Sequence, residues 1–81
     1  MYYLYVIKSL VDGKLYTGHT KNLIKRFNEH NSGLVKATKT RKPFKLLYYE
    51  ASNVLKDAIA RERSLKTGFG RAYLKRRLSD I

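Results

Sequence analysis

Five side chains in this sequence have the chemistry that is needed to break a phosphodiester bond: Tyr5, Tyr16, Arg26, His30 and Glu62. A carboxylate can bind a divalent cation that polarises the phosphate, and a guanidinium can stabilise the extra negative charge of the transition state. A third group has to handle the proton of the attacking water. The chain has no cysteine, which excludes thiolate catalysis, thiolate metal sites and disulfides. Hydrolysis of a phosphoryl ester is therefore the enzyme function that these residue types favour.

Glu62 stands out because helical spacing places it among the apolar residues Ala58, Ile59 and Leu65. An ionised carboxylate in such a place is unfavourable without a partner. Two explanations stay open. Glu62 can form an ordinary helix ion pair with Lys66, four residues further on. Alternatively, it can reach a cleft and bind one Mg²⁺ together with waters and substrate oxygens.

Residues 15–30 carry much of this chemistry. They predict a short strand that ends at Gly18 and a helix over residues 21–31 with Thr20 as its N-cap. The face expected to be buried comprises Leu23, Ile24 and Phe27. Another face carries Asn22, Arg26 and His30. A solvated basic helix face that includes a histidine by chance explains the same pattern, so this segment alone does not decide between a site and a surface.

The remaining patterns define the elements that must position these residues. Strands are expected at residues 2–7, 14–18 and 44–50, and Asp12-Gly13 predicts a hairpin turn between the first two. A helix is expected after a cap at Ser52 or Asn53 and ends at Gly68. A corner at residues 69–70 then leads to a last helix from Arg71 to about Ser79. The predicted order is β-β-α-β-α-α, in a single domain over residues 1–81.

The charge of the chain indicates its partner. A formal net charge of +12, from 18 basic and 6 acidic residues, favours a polyanion, with nucleic acid first and an anionic membrane surface second. Residues 33–43 have no clear period and are interpreted either as a flexible basic flap over a phosphate backbone or as a solvated connector. The candidate nucleic-acid-binding residues are Lys36, Lys39, Arg41, Lys42, Lys66 and Arg71.

Several short motifs occur in a fixed order along the chain. They are Tyr3-Leu4-Tyr5, Tyr16-Thr17-Gly18, an Asn-Leu-x-x-Arg pattern that begins at Asn22, Glu-His-Asn at residues 29–31, and Glu62 within residues 60–66. Over essentially the whole chain this ordered set resembles the GIY-YIG nucleases. It is closest to their small stand-alone members, which resemble the N-terminal nuclease domain of the excision-repair incision subunit. Tyr3 replaces the Gly of the first signature, and Thr17 replaces the Ile of the second.

The resemblance implies an α+β fold with a three-stranded antiparallel sheet flanked by helices, and one Mg²⁺ or Mn²⁺ ion held by Glu62. It also implies that Tyr16 is the general base or binds the attacking water, that Tyr5 positions water or phosphate, and that Arg26 stabilises the pentacovalent phosphate. His30 and His19 are alternatives for proton transfer. A tyrosine has an ordinary pKa of about 10 and needs a lowered pKa to act as a base at neutral pH.

The expected function is a metal-dependent endonuclease that acts on DNA in repair or recombination. The alternatives are a nucleic-acid-binding module that has kept the nuclease fold without cutting, and an interaction protein within a larger complex. Target choice would fall on the basic 33–43 segment and the last helix, with or without a protein partner. No stretch resembles a signal peptide or approaches the roughly 20 apolar residues of a membrane helix. We therefore expect a cytoplasmic protein that is not bound to a membrane.

Overall fold

The computed structural model describes residues 1–78 and confirms the α+β class and the predicted β-β-α-β-α-α order. The three strands are β1 (Tyr2–Ser9), β2 (Leu15–Thr20) and β3 (Phe44–Ser52). The three helices are α1 (Leu23–Asn31), α2 (Leu55–Leu65) and α3 (Gly68–Arg77). Among these elements none is a helix of the length and apolar character that crossing a membrane requires.

The sheet is antiparallel with the order β2-β1-β3, so β2 is an outer strand. The central strand β1 is apolar at successive positions because both of its faces are covered. On the α2 face, Leu4 and Val6 pack against Leu65 and Leu74 of α2 and α3. On the α1 face, the cluster of Tyr5, Ile7 and Phe44 packs against α1 through Leu23 and Phe27.

The hairpin that joins β1 to β2 forms at the predicted turn. Gly13 has a φ of +72°, a conformation that residues with a side chain rarely adopt. The Asp12 side chain accepts from the Lys14 amide at 2.9 Å. The buried Ser9 hydroxyl donates to the Arg41 carbonyl at 2.6 Å and so links the hairpin to the segment before β3.

Helix α1 differs from its prediction at its start and on its buried face. Its N-cap is Asn22, whose side chain accepts from the Lys25 amide at 3.1 Å. Thr20, the predicted cap, instead forms a local turn with Asn22. Ile24 is 76% exposed, so its predicted burial is wrong. The helix contacts the sheet through a stripe that includes Leu23 and Phe27, four residues apart, and Ile24 points about 100° away from Leu23.

The predicted caps and corner around α2 and α3 also need correction. Val54 occupies the N-cap position of helix α2 and makes no side-chain hydrogen bond there. The predicted cap Ser52 lies before the helix, where its hydroxyl accepts from the Val54 amide. Helix α3 begins at Gly68, three residues before the predicted start, and Thr67 caps it by accepting from the Gly70 amide at 3.2 Å. Its expected end at Ser79 lies outside the described residues. The described helix ends at Arg77.

Residues 33–43 are a packed segment, so both the flexible flap and the solvated connector are wrong as descriptions of the whole segment. Val35 and Thr38 are buried. The Arg41 guanidinium reaches the Asp12 carboxylate at 2.8 Å. The Arg41–Asp12 contact ties the segment to the first hairpin, and the burial of Val35 and Thr38 shows that part of it belongs to the core. Three of the predicted nucleic-acid-binding residues stay exposed on it: Lys36, Lys39 and Lys42.

Candidate active site

The candidate site is built around Gly18, in the outer strand β2. Gly18 is paired with Tyr5 of β1, and a Cβ atom at Gly18 would lie 2.6 Å from the Tyr5 hydroxyl oxygen. A separation this small is a steric clash, so only glycine lets the Tyr5 side chain pass over β2. The Tyr5 side chain therefore passes over Gly18 of the outer strand, and both its ring and its hydroxyl are buried there.

A buried chain of hydrogen bonds fixes the Tyr5 hydroxyl. His30 is 0% exposed, and its Nε2 lies 2.8 Å from the Tyr5 hydroxyl while its Nδ1 lies 2.7 Å from the Thr38 hydroxyl. Each ring nitrogen of His30 is thereby bonded to a hydroxyl group, one from Tyr5 and one from Thr38. A neutral imidazole suits this arrangement, because it has one donor and one acceptor nitrogen and a hydroxyl can pair with either.

Burial keeps both members of this pair uncharged near neutral pH. It lowers the pKa of His30 to about 4, and the nearby Arg26 charge acts in the same direction. Burial also raises the pKa of Tyr5 to about 12, against the opposing effect of Arg26. His30 does not reach the surface, so the fold places it as a group that orients Tyr5. Tyr5 is a protonated hydroxyl that can position a water or a phosphate.

Tyr16 and Arg26 complete the α1 side of the site. The ring of Tyr16 has its centroid 5.0 Å from that of His30 and 6.5 Å from that of Tyr5, and it is partly exposed. The Arg26 guanidinium donates to Glu29 at 3.1 Å and lies close enough to the Tyr5 hydroxyl to lower its pKa. The structure therefore brings these predicted residues together.

Glu62 lies on the α2 face and is held by two cationic or donor groups. Its Oε1 lies 2.6 Å from Nδ1 of His19, and its Oε2 accepts from Nζ of Lys66 at 3.0 Å. The side chain is 17% exposed. Burial alone raises the pKa of Glu62, but the hydrogen bonds from His19 and Lys66 outweigh it and hold the pKa below its ordinary value. The predicted Lys66 ion pair is confirmed.

The two halves of the site meet at the edge of β2. His19, the partner of Glu62, directly follows Gly18 in this strand. The negative charge of Glu62 also contributes to the raised pKa of Tyr5, which requires the two groups to lie within electrostatic reach. Glu62 therefore faces the same edge that the Tyr5 hydroxyl reaches from the other side.

Glu62 is the carboxylate of the site that could hold a divalent cation. Within residues 1–78, no group of three or more His, Cys, Asp and Glu side chains is arranged to hold a metal, so Glu62 would be joined by waters and phosphate oxygens. This is a ligand set that Mg²⁺ commonly uses. Each carboxylate oxygen of Glu62 has two lone pairs and uses one, which leaves acceptor capacity for a cation.

The predicted cationic residues divide into two groups. Lys66, Arg71 and Arg41 line a cleft of about 770 Å³ that also reaches Tyr16. Its other cations, Lys14 and Lys75, were missed by the sequence prediction because nothing but their charge distinguishes them. Among the described residues that line this cleft, Lys36, Lys39 and Lys42 do not occur. Thr38 was also missed, and no short-range pattern indicates its bond to His30.

The sequence of residues 1–78 matches a family model described as the GIY-YIG catalytic domain. A UPF0213 protein of Staphylococcus saprophyticus is 42% identical over 67 residues, which cover 82% of this chain and 80% of that relative. A UPF0213 protein of Streptococcus agalactiae is 45% identical over 65 residues, covering 79% of this chain and 73% of that one. Among solved structures, the solution NMR structure of a UPF0213 protein of Bacillus halodurans is similar with a TM-score of 0.56 and 31% identity. That similarity covers 91% of this chain and 82% of the other.

Proposed function

The chain belongs to the GIY-YIG nuclease family, and from this membership we propose that it is a metal-dependent endonuclease that hydrolyses phosphodiester bonds of DNA. The observation that carries the proposal is the meeting of two kinds of group at the edge of β2. An ionised carboxylate, Glu62, faces the edge on one side. A fixed tyrosine hydroxyl and a guanidinium, Tyr5 and Arg26, face it on the other.

The metal ion would be held by Glu62, as Mg²⁺ or Mn²⁺, and would supply charge that polarises the phosphate and favours an ionised water. Arg26 stabilises the negative charge that develops on the phosphate oxygens, since a guanidinium offers several donors in a fixed plane. Lys66 is bonded to the same carboxylate at 3.0 Å and is half exposed, so it can turn to a phosphate once a cation occupies Glu62.

The tyrosines have different roles because their surroundings differ. Tyr5 stays protonated, since its pKa is raised to about 12, and it orients a water or a phosphate oxygen. Tyr16 is the more exposed of the two and is proposed as the group that takes the proton of the attacking water or holds that water in place. His30 acts through Tyr5 as a positioning residue.

DNA is the proposed substrate, and the cellular role that we propose is repair or recombination in the cytoplasm, by a single domain over residues 1–81. The net charge of +12 supports a polyanionic substrate. A second candidate is a binding module that does not cut. The Glu62–Lys66 ion pair at 3.0 Å favours it, because it gives the carboxylate a structural role without a metal.

A cleavage assay separates the two. Purified protein is incubated with labelled single-stranded, duplex, flapped and branched DNA, in Mg²⁺, in Mn²⁺ and in chelator. For the endonuclease, cleavage requires the metal, and Glu62→Gln slows it by about 10³-fold or more, since the cation supplies several kcal/mol of stabilisation. DNA binding by this variant stays equal or becomes slightly tighter, because a negative charge near phosphate is removed.

Asp57→Asn is the matched control. Asp57 is an exposed acid on the same helix, and its substitution also removes one negative charge, so cleavage by this variant is expected to match the wild type. Unchanged cleavage by Glu62→Gln would rule out the metal role of Glu62. Binding without cutting of every substrate by the wild-type protein would favour the binding module.

A further inference from the structure

Three cationic side chains of the cleft beside Tyr16 have no acidic partner. Lys14 directly precedes β2, and Arg71 and Lys75 lie four residues apart on α3, a spacing that places both side chains on one helix face. All three are exposed and line the cleft of about 770 Å³. Within residues 1–78, no ion pair includes any of them. The cleft therefore contains positive charge that no described carboxylate neutralises.

The walls of the cleft are held in place by packing and by backbone bonds. Leu74, which lies between the two α3 cations, is 1% exposed and packs with Leu65 of α2 in the core. At the other wall, the Lys14 carbonyl accepts from the Ser9 amide at 3.0 Å, and the Lys14 amide donates to Asp12 at 2.9 Å. Because Leu65 and Leu74 are almost fully buried, they support the cleft from within the core, and a ligand would meet the exposed side chains.

The other two cations of the cleft already have partners. Arg41 donates to Asp12 at 2.8 Å, and Lys66 donates to Glu62 at 3.0 Å. None of the described residues that line the cleft is acidic. A cleft lined by charge of one sign focuses its electric field and attracts a polyanion. The exposed lysines of residues 33–43 do not line this cleft, so the cleft is the better polyanion site of these two basic surfaces.

The cleft and the candidate active site share residues. Tyr16 and Lys66 both line the cleft. Tyr16 belongs to the site through its ring contact with His30, and Lys66 through its bond to Glu62. A long anion that lies in the cleft is therefore brought to the groups that we propose for phosphodiester hydrolysis. A nucleic-acid strand is such an anion, since it carries a negative charge on every phosphate.

The lining favours contacts to phosphates over contacts to bases. Its described residues include no Asn, Gln, Asp or Glu, the side chains that pair with the edges of adenine and cytosine. Its free cations suit phosphates, and phosphate contacts carry no sequence information. A volume of about 770 Å³ is in the range of a site for one drug-sized molecule, which corresponds to a short length of one strand. We propose that this cleft binds the sugar–phosphate backbone of a nucleic-acid strand, with Lys14 and Lys75 as phosphate contacts, independently of base sequence.

An anionic membrane fits the cleft less well than a strand does. A bilayer surface is flat and cannot enter a concave site, and a segment that binds at the membrane interface needs apolar side chains to insert. Leu65 and Leu74 are buried, so they are not available for insertion. Only the position of the bond that is cut, next to Tyr16, rests on the proposed nuclease function. The binding of the backbone does not.

The test measures the binding of labelled single-stranded DNA by anisotropy at several salt concentrations, in EDTA so that no metal-dependent cleavage occurs. The variant Lys14→Gln/Lys75→Gln removes two charges from the cleft. The slope of log affinity against log salt is expected to become less steep by about 1.4, since each phosphate contact on a single strand contributes about 0.7. The affinity at about 0.15 M salt is expected to fall by about tenfold as a result.

Lys36→Gln/Lys39→Gln is the matched comparison, because it removes the same charge from two exposed lysines outside the cleft lining. Its affinity is expected to fall by less than about threefold, since charges that do not touch the strand act only through screened attraction. Lys14→Arg/Lys75→Arg keeps both charges and is expected to bind like the wild type. Two strands of equal length and different base sequence are expected to show the same losses.

Three results would overturn the inference. One is an equal loss of affinity in the two glutamine variants, which would show an effect of net charge alone. Another is a loss that depends on the base sequence of the strand. The third is unchanged DNA affinity in Lys14→Gln/Lys75→Gln, and weaker binding of that variant to phosphatidylglycerol vesicles would then assign the cleft to a membrane.

The proposed function is judged separately, by the cleavage assay. DNA binding that depends on Lys14 and Lys75, in a protein that cuts no DNA, would keep this inference and contradict the nuclease. Cleavage by a protein whose DNA binding is unchanged in Lys14→Gln/Lys75→Gln would keep the nuclease and contradict this inference.

Discussion

On the α1 face of the sheet, the hydroxyl and imidazole groups around Tyr5 are buried and bonded to one another, whereas on the α2 face Glu62 and its partners are partly exposed and joined by ion pairs. The α1 face holds Tyr5, His30 and Thr38 in a closed chain, with both ring nitrogens of the histidine in use. The α2 face holds Glu62 between His19 and Lys66. Every buried side-chain nitrogen and oxygen among residues 1–78 has a hydrogen-bond partner.

This difference indicates that one face holds its groups in a fixed geometry and that the other can rearrange. A buried hydrogen bond leaves an unsatisfied group when one partner is lost, which costs about 1–3 kcal/mol, so the α1 face is expected to keep one geometry. An exposed ion pair contributes only about 0–1 kcal/mol, so Lys66 can leave Glu62 with little loss when a cation arrives. The α1 face fixes the hydroxyl, and the α2 face can rearrange around a metal and a phosphate.

Among the variants that test this comparison, the largest effect is expected at Arg26, which belongs to the chemistry more than to either packing scheme. Arg26→Ala is expected to slow cleavage at saturating DNA by about 10²–10³-fold, the scale of one preorganised donor to developing charge. The free energy of unfolding of this variant is expected to differ from that of the wild type by less than about 1 kcal/mol, because the Arg26–Glu29 ion pair is partly exposed. Single-turnover cleavage and urea denaturation measure the two quantities.

Arg26→Lys is the control, since lysine restores the charge without the planar set of donors, and it is expected to recover only part of the rate. If Arg26→Ala instead lost affinity and kept the rate at saturating DNA, Arg26 would be a binding residue and the site would have no assigned group for the transition-state charge.

The two histidines test the comparison directly, because each belongs to one face. His30→Ala leaves the hydroxyls of Tyr5 and Thr38 without their partner inside the core, and it is expected to lower the free energy of unfolding by about 2–4 kcal/mol. His19→Ala removes a partly exposed contact to Glu62 and is expected to lower it by less than about 1 kcal/mol. Urea denaturation of both variants is the measurement, and equal losses would contradict the division between the faces.

Short-range patterns predicted the sheet better than the helix ends. The Asp12-Gly13 turn fixes the first hairpin by local chemistry alone, and the structure has Gly13 at a positive φ as such a turn requires. The start of α1 was placed wrongly because Thr20 and Asn22 are both good caps. The sheet contact made by Leu23 decides between them, and that contact is not local. The start of α3 likewise depends on Gly70 packing against Ser64.

At the site, too, contacts between residues distant in sequence could not be predicted from local patterns. The order and spacing of Tyr5, Tyr16, Arg26 and Glu62 identify the family, and the fold brings them to one edge. The contact between His19 and Glu62 joins residues that are 43 positions apart, and no pattern in the chain indicates it. His30 was a candidate for proton transfer because a histidine near an arginine is chemically suitable. Its burial comes from contacts with Tyr5, Tyr16, Phe44 and Thr38, and no short-range pattern indicates that these residues meet.

The pH dependence of stability sharpens the comparison, because its source is the α1 face. The pKa of His30 is lowered from 6.5 to about 4 in the folded protein. Between these two values the unfolded chain binds a proton that the folded chain does not. The stability that the protein gains by keeping His30 neutral is therefore fully present above about pH 6.5. It decreases as the pH falls below that value and is lost by about pH 4.

The groups that face His30 are Tyr5, Tyr16, Phe44, Thr38 and, as charges, Arg26 and Glu29. The pKa of Asp12 is lowered to about 2 and that of Glu62 is held below its ordinary value by His19 and Lys66, so His30 dominates the upper part of the 4–6.5 window among these groups. From pH 7 to pH 5 the free energy of unfolding is expected to fall by about 2 kcal/mol for this reason. Urea denaturation at several pH values measures it, with His30→Gln as the comparison, since glutamine keeps hydrogen-bonding capacity and does not titrate. If the free energy of unfolding of His30→Gln falls with pH as steeply as that of the wild type, the buried histidine is not the source of the pH dependence. That result would contradict a fixed, neutral network on the α1 face.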